Sequence, residues 1–374
     1  MSDTHQRYRA IKQALLQTLP AQPNSHHEKA LNTLAALICG IVGAQHTQLP
    51  KVASKAPSWG AKLSSRIKRF SRWIENKRVT YQTYFLPFAQ AVLESLAHQP
   101  LVLVMDGSVV GRGCVTLLLS VLYRGRALPL AWVVVKGAKG HFPQDTHCAL
   151  VAQIQPFVPE QASVIFLGDG EFDGTDLQAK LQGYGWLYVC RTAGNILLWS
   201  GTAHIHFSEM GVEVDEIVLL EQAQVTQARY GPVLALAVWE ESYSTPLYLV
   251  SNLSDAEVAV GWYRRRATIE TFFSDQKSRG FRLDSSHLSS PVRLARLMLA
   301  ACLAYLWMIY LGVVARRDGW DRIIHRTDRC DWSLFQLGLH LLDHWLNEEL
   351  PIQVAFCPPP LSAVTELSLI FSVR

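Results

Sequence analysis

Leu101-Val-Leu-Val-Met-Asp106-Gly107 has a counterpart in Val164-Ile-Phe-Leu-Gly-Asp169-Gly170: each is an apolar run that ends on an aspartate followed by glycine. A short continuous apolar run, bounded by turn residues, suits a strand covered on both faces. A carboxylate at the C-terminal end of such a strand falls where an α/β layer places its functional groups. An Asp that merely opens a turn gives the same local pattern, so the two runs need their surroundings.

Working outward, Val115–Tyr123 and Leu128–Val135 are two more apolar runs rich in β-branched residues. Gly-containing turns join them, from Gly107 to Gly113 and again at Arg124-Gly-Arg126. A helical stretch (147–157), a strand (163–167), a short helix (176–181) and a strand (186–190) follow. Three adjacent strands, a helix, a strand, a helix and a strand make a mixed α/β layer in the RNase H-like order. Between Arg191 and Leu249 the chain turns β-rich again, with alternating runs at 204–207, 216–225 and 233–238, which read as an insertion. A long helix from Asp255 to about Arg279 and a solidly apolar helix come next. The expected organisation is a basic helical region (1–98), a first part of the core (99–192), a β-rich insertion (193–250), a second part of the core (251–318) and a C-terminal helical region (319–374). Pro358-Pro-Pro360 marks the expected end of compact structure.

The first region reads as helices over 8–19, 28–42, 62–75 and 84–96. Residues 1–100 hold 13 Lys/Arg against 4 Asp/Glu, a net +9, which leaves 22 against 27, a net −5, in the rest. A basic region ahead of an acidic body suits a polyanion partner, nucleic acid first, or else a well-solvated surface. In Lys62-Leu-Ser-Ser-Arg66-Ile-Lys68-Arg69-Phe70-Ser-Arg72-Trp73, Ile67, Phe70 and Ile74 pack inward at helical spacing. Arg66, Arg69 and Trp73 then lie on other faces, where the two arginines dock on DNA phosphates or sit in solvent.

With 49% hydrophobic and 18% charged residues, the 374-residue chain is an ordered globular protein. Its seven cysteines are scattered, with no pair at CxxC spacing, so neither a disulfide framework nor a zinc module is indicated. The first residues carry no signal-peptide pattern, and reduced thiols in a cytoplasm are the simple expectation. Leu297–Ala315 is an unbroken apolar run of 19 residues with arginines on both flanks. By length it spans a membrane; as a solitary run rich in Ala, it reads better as a helix buried on all sides of a large core.

The long helix supplies the remaining chemistry. At 100° per residue, Tyr263, Arg266, Glu270 and Lys277 fall within an arc of about 60°. A surface stripe with an Arg266–Glu270 pair is the bland alternative, and it fits poorly with Trp262, Ile269, Phe272 and Phe273 around it. Two aspartates on strand ends and a glutamate on a helix are hard oxygen donors. Such a set holds two divalent ions about 3.5–4 Å apart, which neutralise the attacking and leaving oxygens of a phosphodiester. Arg and Lys beside the Glu grip the flanking backbone, and a phenol bonds a phosphate or stacks on a base.

Tyr263-x2-Arg266-x3-Glu270-x6-Lys277 resembles the Y-R-E-K signature of the insertion-sequence-four family of bacterial DDE transposases, the Tn-five-like enzymes. Asp106-Gly and Leu167-Gly-Asp169-Gly-Glu-Phe172-Asp173-Gly resemble it too, as does the position of the insertion. The resemblance covers roughly residues 100–310. It implies a DNA transposase that cleaves insertion-sequence ends and transfers strands to target DNA, with Asp106, Asp169 and Glu270 as catalytic residues and ligands of Mg2+ or Mn2+. Tyr263, Arg266 and Lys277 become backbone contacts near the scissile phosphate. Double-stranded DNA, as terminal inverted repeats and target, is the implied partner. The resemblance also implies a homodimer in the DNA complex, without a membrane, in a bacterial cytoplasm on the nucleoid. A transposase-derived DNA-binding protein without activity is the competing reading.

Two positions depart from the pattern. Ala267 follows the signature Arg, where the family often has Trp. Tyr248 stands near the end of the insertion, where hairpin-forming relatives use a Trp. His26, His27, His141 and His147 read as loop histidines, and Asp173 and Asp176 as caps of the following helix.

Overall fold

The computed structural model describes residues 2–19, 25–137 and 142–359. Helices α1 (Asp3–Thr18), α2 (Ser25–Ala44), α3 (Leu49–Ser54), α4 (Leu63–Glu75), α5 (Tyr81–Tyr84) and α6 (Leu86–Leu96) precede the sheet. Strands and helices β1 (Leu101–Val109), β2 (Cys114–Tyr123), β3 (Arg126–Lys136), α7 (Gln144–Ile154), β4 (Val164–Gly168), α8 (Thr175–Gly183) and β5 (Leu187–Thr192) then follow in the expected sequence. The strand order is β3-β2-β1-β4-β5, with β1 antiparallel to β2 and parallel to β4, which is the RNase H-like core.

The β-rich segment comprises β6 (Leu197–Ser200), β7 (Ala203–His206), β8 (Glu216–Val225), β9 (Tyr230–Trp239) and β10 (Leu247–Ser251). It does not stand apart from the core. β10 lies antiparallel beside β5, and the order runs on as β10-β9-β8-β6-β7 in one ten-stranded sheet. The backbone groups of the β5 edge are thereby paired instead of being left as an open template.

Helices α9 (Ala256–Tyr263), α10 (Ile269–Gln276), α11 (Pro291–Arg317), α12 (Asp321–Ile324) and α13 (Leu334–Asn347) complete the described chain. The single long helix expected over 255–279 is broken. Between α9 and α10 the amides of Arg265 and Thr268 bond carbonyls three residues back, Trp262 and Arg265, each at 3.0 Å, and a 3-10 turn forms over Arg266–Thr268. Lys277 leaves helical geometry (φ −108°, ψ −116°) and ends α10. No Pro or Gly lies between Tyr263 and Gln276 to signal the break, so the tertiary pull on this segment outweighs its local propensity.

The apolar run is a core helix. Among the described residues α11 is the one helix long and apolar enough to cross a membrane, and 94% of its most apolar window is buried inside the fold. It packs against α2, α4, α13 and β3. A Cβ on Gly312 would run into the Leu334 carbonyl, and one on Gly338 into the Met308 carbonyl, so α11 and α13 meet backbone to backbone at two glycines.

The basic helices are built into this same core. Phe70 and Ile74 are buried on α4 as their spacing requires. Trp73, expected on another face, is buried as well: its indole N–H donates to the Ala30 carbonyl on α2 at 2.9 Å, which satisfies the ring's one polar atom. From α11, Arg293 pairs with Glu75 at 3.2 Å, and Arg296 donates to the carbonyls of Val79 and Ile74 at 3.0 and 3.1 Å.

Candidate active site

Register brings the two aspartates together. β1 and β4 pair from Leu101↔Val164 to Val104↔Leu167, and two further steps set Asp106 beside Asp169. Asp106 lies inside β1 and not at its end, because the β1–β2 ladder continues through Asp106↔Leu118 to Val109↔Val115. On its other side β4 has already stopped at Gly168, so the strand edge at Asp106 is open. Each carboxylate is fixed by a backbone amide: Gly107 N–H donates to Asp106 Oδ1 at 2.7 Å, and Glu171 N–H to Asp169 Oδ1 at 2.9 Å.

The third acid arrives on α10. Phe272 packs edge-on against Tyr305 of α11 with centroids 5.0 Å apart, and Gln276 donates to the Ala301 carbonyl at 3.3 Å. Asp275 is buried and pairs with Arg126 of β3 at 3.1 Å. Burying Phe272 contributes about 2–3 kcal/mol, so one face of this two-turn helix is firmly seated. Glu270, 67% exposed, projects from it into the cleft.

Arg266 joins the three. Its Nη2 lies 2.8 Å from Asp169 Oδ2 and 3.2 Å from Asp106 Oδ2, and its Nη1 lies 3.6 Å from Glu270 Oε1. Burial pushes the Asp106 carboxyl up to about 6, against the pull of Arg266 and with added repulsion from Asp169 and Glu270. The Tyr263 phenol, at the end of α9, is pushed up to about 12, chiefly by burial, and stays a protonated donor at neutral pH. Lys277 Nζ bonds Ser108 Oγ at 2.5 Å, on the same face of β1 as Asp106.

Asp106, Asp169, Arg266 and Glu270 line a cleft of about 780 Å3. Ser108, Glu171 and Arg191 line it as well, and the sequence reading gave them no role. Arg191 stood where the two aspartates stood, just past an apolar strand, and the same rule finds it. Glu171 accepts from the Phe142 amide at 2.6 Å and faces buried His147 at 3.4 Å, so His147 is a packed residue beside the site.

The structure thus gathers Asp106, Asp169, Glu270, Arg266, Tyr263 and Lys277, but not Arg66 and Arg69. Arg66 donates to the Ala53 and Ala56 carbonyls at the end of α3, and Arg69 to Thr33 Oγ1 at 2.9 Å. Asp173 and Asp176 do not cap α8, whose N-cap is Gly174. Asp173 accepts from Thr192 Oγ1 at 2.7 Å and Asp176 from Gln144 Nε2 at 2.6 Å. Tyr248 packs beside Phe207 and over Gly194. His27 stacks on Tyr84, and His141 lies outside the described residues.

The donor set suits a hard divalent cation, since three carboxylates offer only oxygen ligands. As placed, the guanidinium of Arg266 is the cation that balances them, and among the described residues no three ligands close on a common point.

An RNase H-like sheet with paired aspartates on β1 and just past β4, faced by a helix-borne glutamate, defines the class of this protein as a nucleic-acid strand-processing scaffold. Residues 97–307 match the family model of the transposase DDE domain, and the chain belongs to that family, whose members cleave and transfer DNA strands. No curated protein matches the chain. Among solved structures, the piggyBac transposase synaptic complex with hairpin DNA is similar over 99% of this chain and 82% of that one, at 11% identity and a TM-score of 0.48.

Proposed function

We propose that this protein cuts DNA at the ends of an insertion sequence and joins the freed strands to target DNA, as an enzyme of the insertion-sequence-four type. The observation that carries this reading is the convergence of Asp106, Asp169 and Glu270 around one guanidinium in an open cleft. Asp106, Asp169 and Glu270 would hold Mg2+ or Mn2+, which when bound would supply positive charge to the reacting phosphodiester.

The chain's own residues do the rest. Arg266 turns its planar fork from the carboxylates to phosphate oxygens, which it can meet in bidentate fashion. Tyr263 donates its O–H to a backbone oxygen, and Lys277 places a point charge at the Ser108 edge of the cleft. The basic helices, Arg69 among them, add contacts to the terminal inverted repeats, whereas Arg66, expected to share that role, is held by the Ala53 and Ala56 carbonyls. The working form is a homodimer on DNA, in the cytoplasm at the nucleoid.

The test is cleavage of a labelled duplex carrying the DNA that flanks the gene, with and without Mg2+ or Mn2+. Divalent-dependent nicking and strand transfer, lost in Asp169→Asn, are expected. Duplex binding without any metal-dependent cleavage sinks the enzymatic reading and leaves a DNA-binding derivative.

A further inference from the structure

A second cleft, of about 570 Å3, opens between α2 and α4 and shares no lining residue with the acid cleft. We infer that it is a dedicated phosphate-gripping site for duplex DNA, with Lys29, Arg69, Arg72 and Arg78 as its contacts. The inference rests on the DNA-processing reading above and deepens it by naming where the basic helices take hold.

Three observations converge on it. The charged lining side chains are Lys29, Arg69, Arg72 and Arg78, with His26 beside them, and among the described residues no carboxylate lines the cleft. Glu75, the one acid on α4, is engaged by Arg293 and Ser71. Like charges brought around one concavity repel one another until an anion enters. The floor is also rigid: Trp73 is hydrogen-bonded to Ala30, and Tyr84 stacks on His27. Arg69 is preset, bonded to Thr33 Oγ1 at 2.9 Å with its guanidinium 5.2 Å from the Trp59 ring centroid. Arg72 and Arg78 are exposed at the rim, where they reach a passing backbone. Arg66, by contrast, is spent on two backbone carbonyls and takes no part.

The experiment is fluorescence anisotropy of the full chain with a labelled duplex, without divalent ions, so that binding is read apart from cleavage. Arg72→Ala and Arg78→Ala are each expected to weaken binding about tenfold and to lower the slope of log affinity against log salt by roughly one. Lys51→Ala, an exposed cation outside the cleft, is the control and is expected to bind like wild type. Wild-type affinity and slope in both cleft variants, or equal losses in Lys51→Ala, overturn the site while the DNA-processing reading stands. No duplex binding by the wild-type chain overturns both. Cleft-dependent binding of inorganic phosphate or a mononucleotide without duplex binding overturns the DNA assignment in favour of a small anion.

Discussion

Arg266 Nη2 stands 2.8 Å from Asp169 Oδ2, and the guanidinium that carries it is only 16% exposed. The same nitrogen reaches Asp106, so one cation holds two strands and a helix in register around three acids. Removing one acid leaves Arg266 with two partners and relieves repulsion, so the fold should tolerate it. Asp106→Ala, Asp169→Ala and Glu270→Ala are each expected to abolish divalent-dependent cleavage while far-ultraviolet circular dichroism and duplex binding persist. Near wild-type cleavage by any of the three removes that residue from the metal site.

The buried pair behind the site sets a pH dependence. Burial pushes the Asp275 carboxyl up to about 6, and Arg126 opposes that shift. A carboxyl raised in the folded state adds stability below the ordinary carboxylate value of about 3.8, and that stability is lost as pH rises through about 6. Between pH 4 and 6 the wild-type chain is therefore expected to lose about 2–3 kcal/mol relative to Asp275→Asn. Arg126→Ala strands a buried carboxylate, and at pH 7.5 it should cost about 3–5 kcal/mol. Urea unfolding at several pH values checks both, and parallel pH profiles for wild type and Asp275→Asn would refute the first.

Much of this architecture was legible in sequence because burial leaves a simple trace. A strand covered on both faces is apolar throughout, so β1, β2, β3, β4 and β5 showed themselves together with the acids on their rim. The break between α9 and α10 left no trace, since Arg266 is drawn toward Asp106 and Asp169 by residues far away in the chain. Trp73 misled for a related reason: its burial depends on an acceptor at Ala30, on another helix. The charge count that sets the basic region apart in sequence carries no sign of its partners: Arg293 and Arg296 of α11 bind Glu75, Ile74 and Val79.

The crossing of α11 and α13 depends on two missing side chains. Gly312 faces the Leu334 carbonyl and Gly338 the Met308 carbonyl, closer than any Cβ allows. Alanine in an exposed helix stabilises relative to glycine by roughly 1 kcal/mol. Here Gly312→Ala and Gly338→Ala should instead each destabilise by about 1–3 kcal/mol, because packed backbone must move. Chemical denaturation decides the sign, and a stabilised variant would show that the two helices are free to separate.

Arg266 and Lys277 make a pair whose roles separate by measurement. Arg266 lies among carboxylates, while the Lys277 ammonium bonds the neutral Ser108 hydroxyl. If both pass to phosphate oxygens when DNA enters, each loss removes a charged hydrogen bond of about 1.5–3 kcal/mol. Single-turnover cleavage should then fall about tenfold to hundredfold in Arg266→Ala and in Lys277→Ala, with weaker duplex binding in both. Arg266→Ala should carry a second signature, because Asp106, Asp169 and Glu270 are left facing one another: lower stability at pH 7.5 that recovers on acidification, as Asp106 takes up a proton. Arg266→Lys restores the charge without the fork, so it should recover stability more fully than cleavage. Suppose Arg266 serves only to balance the acids. Its alanine variant then melts earlier but binds duplex as wild type does, and the clamp is lost as an explanation.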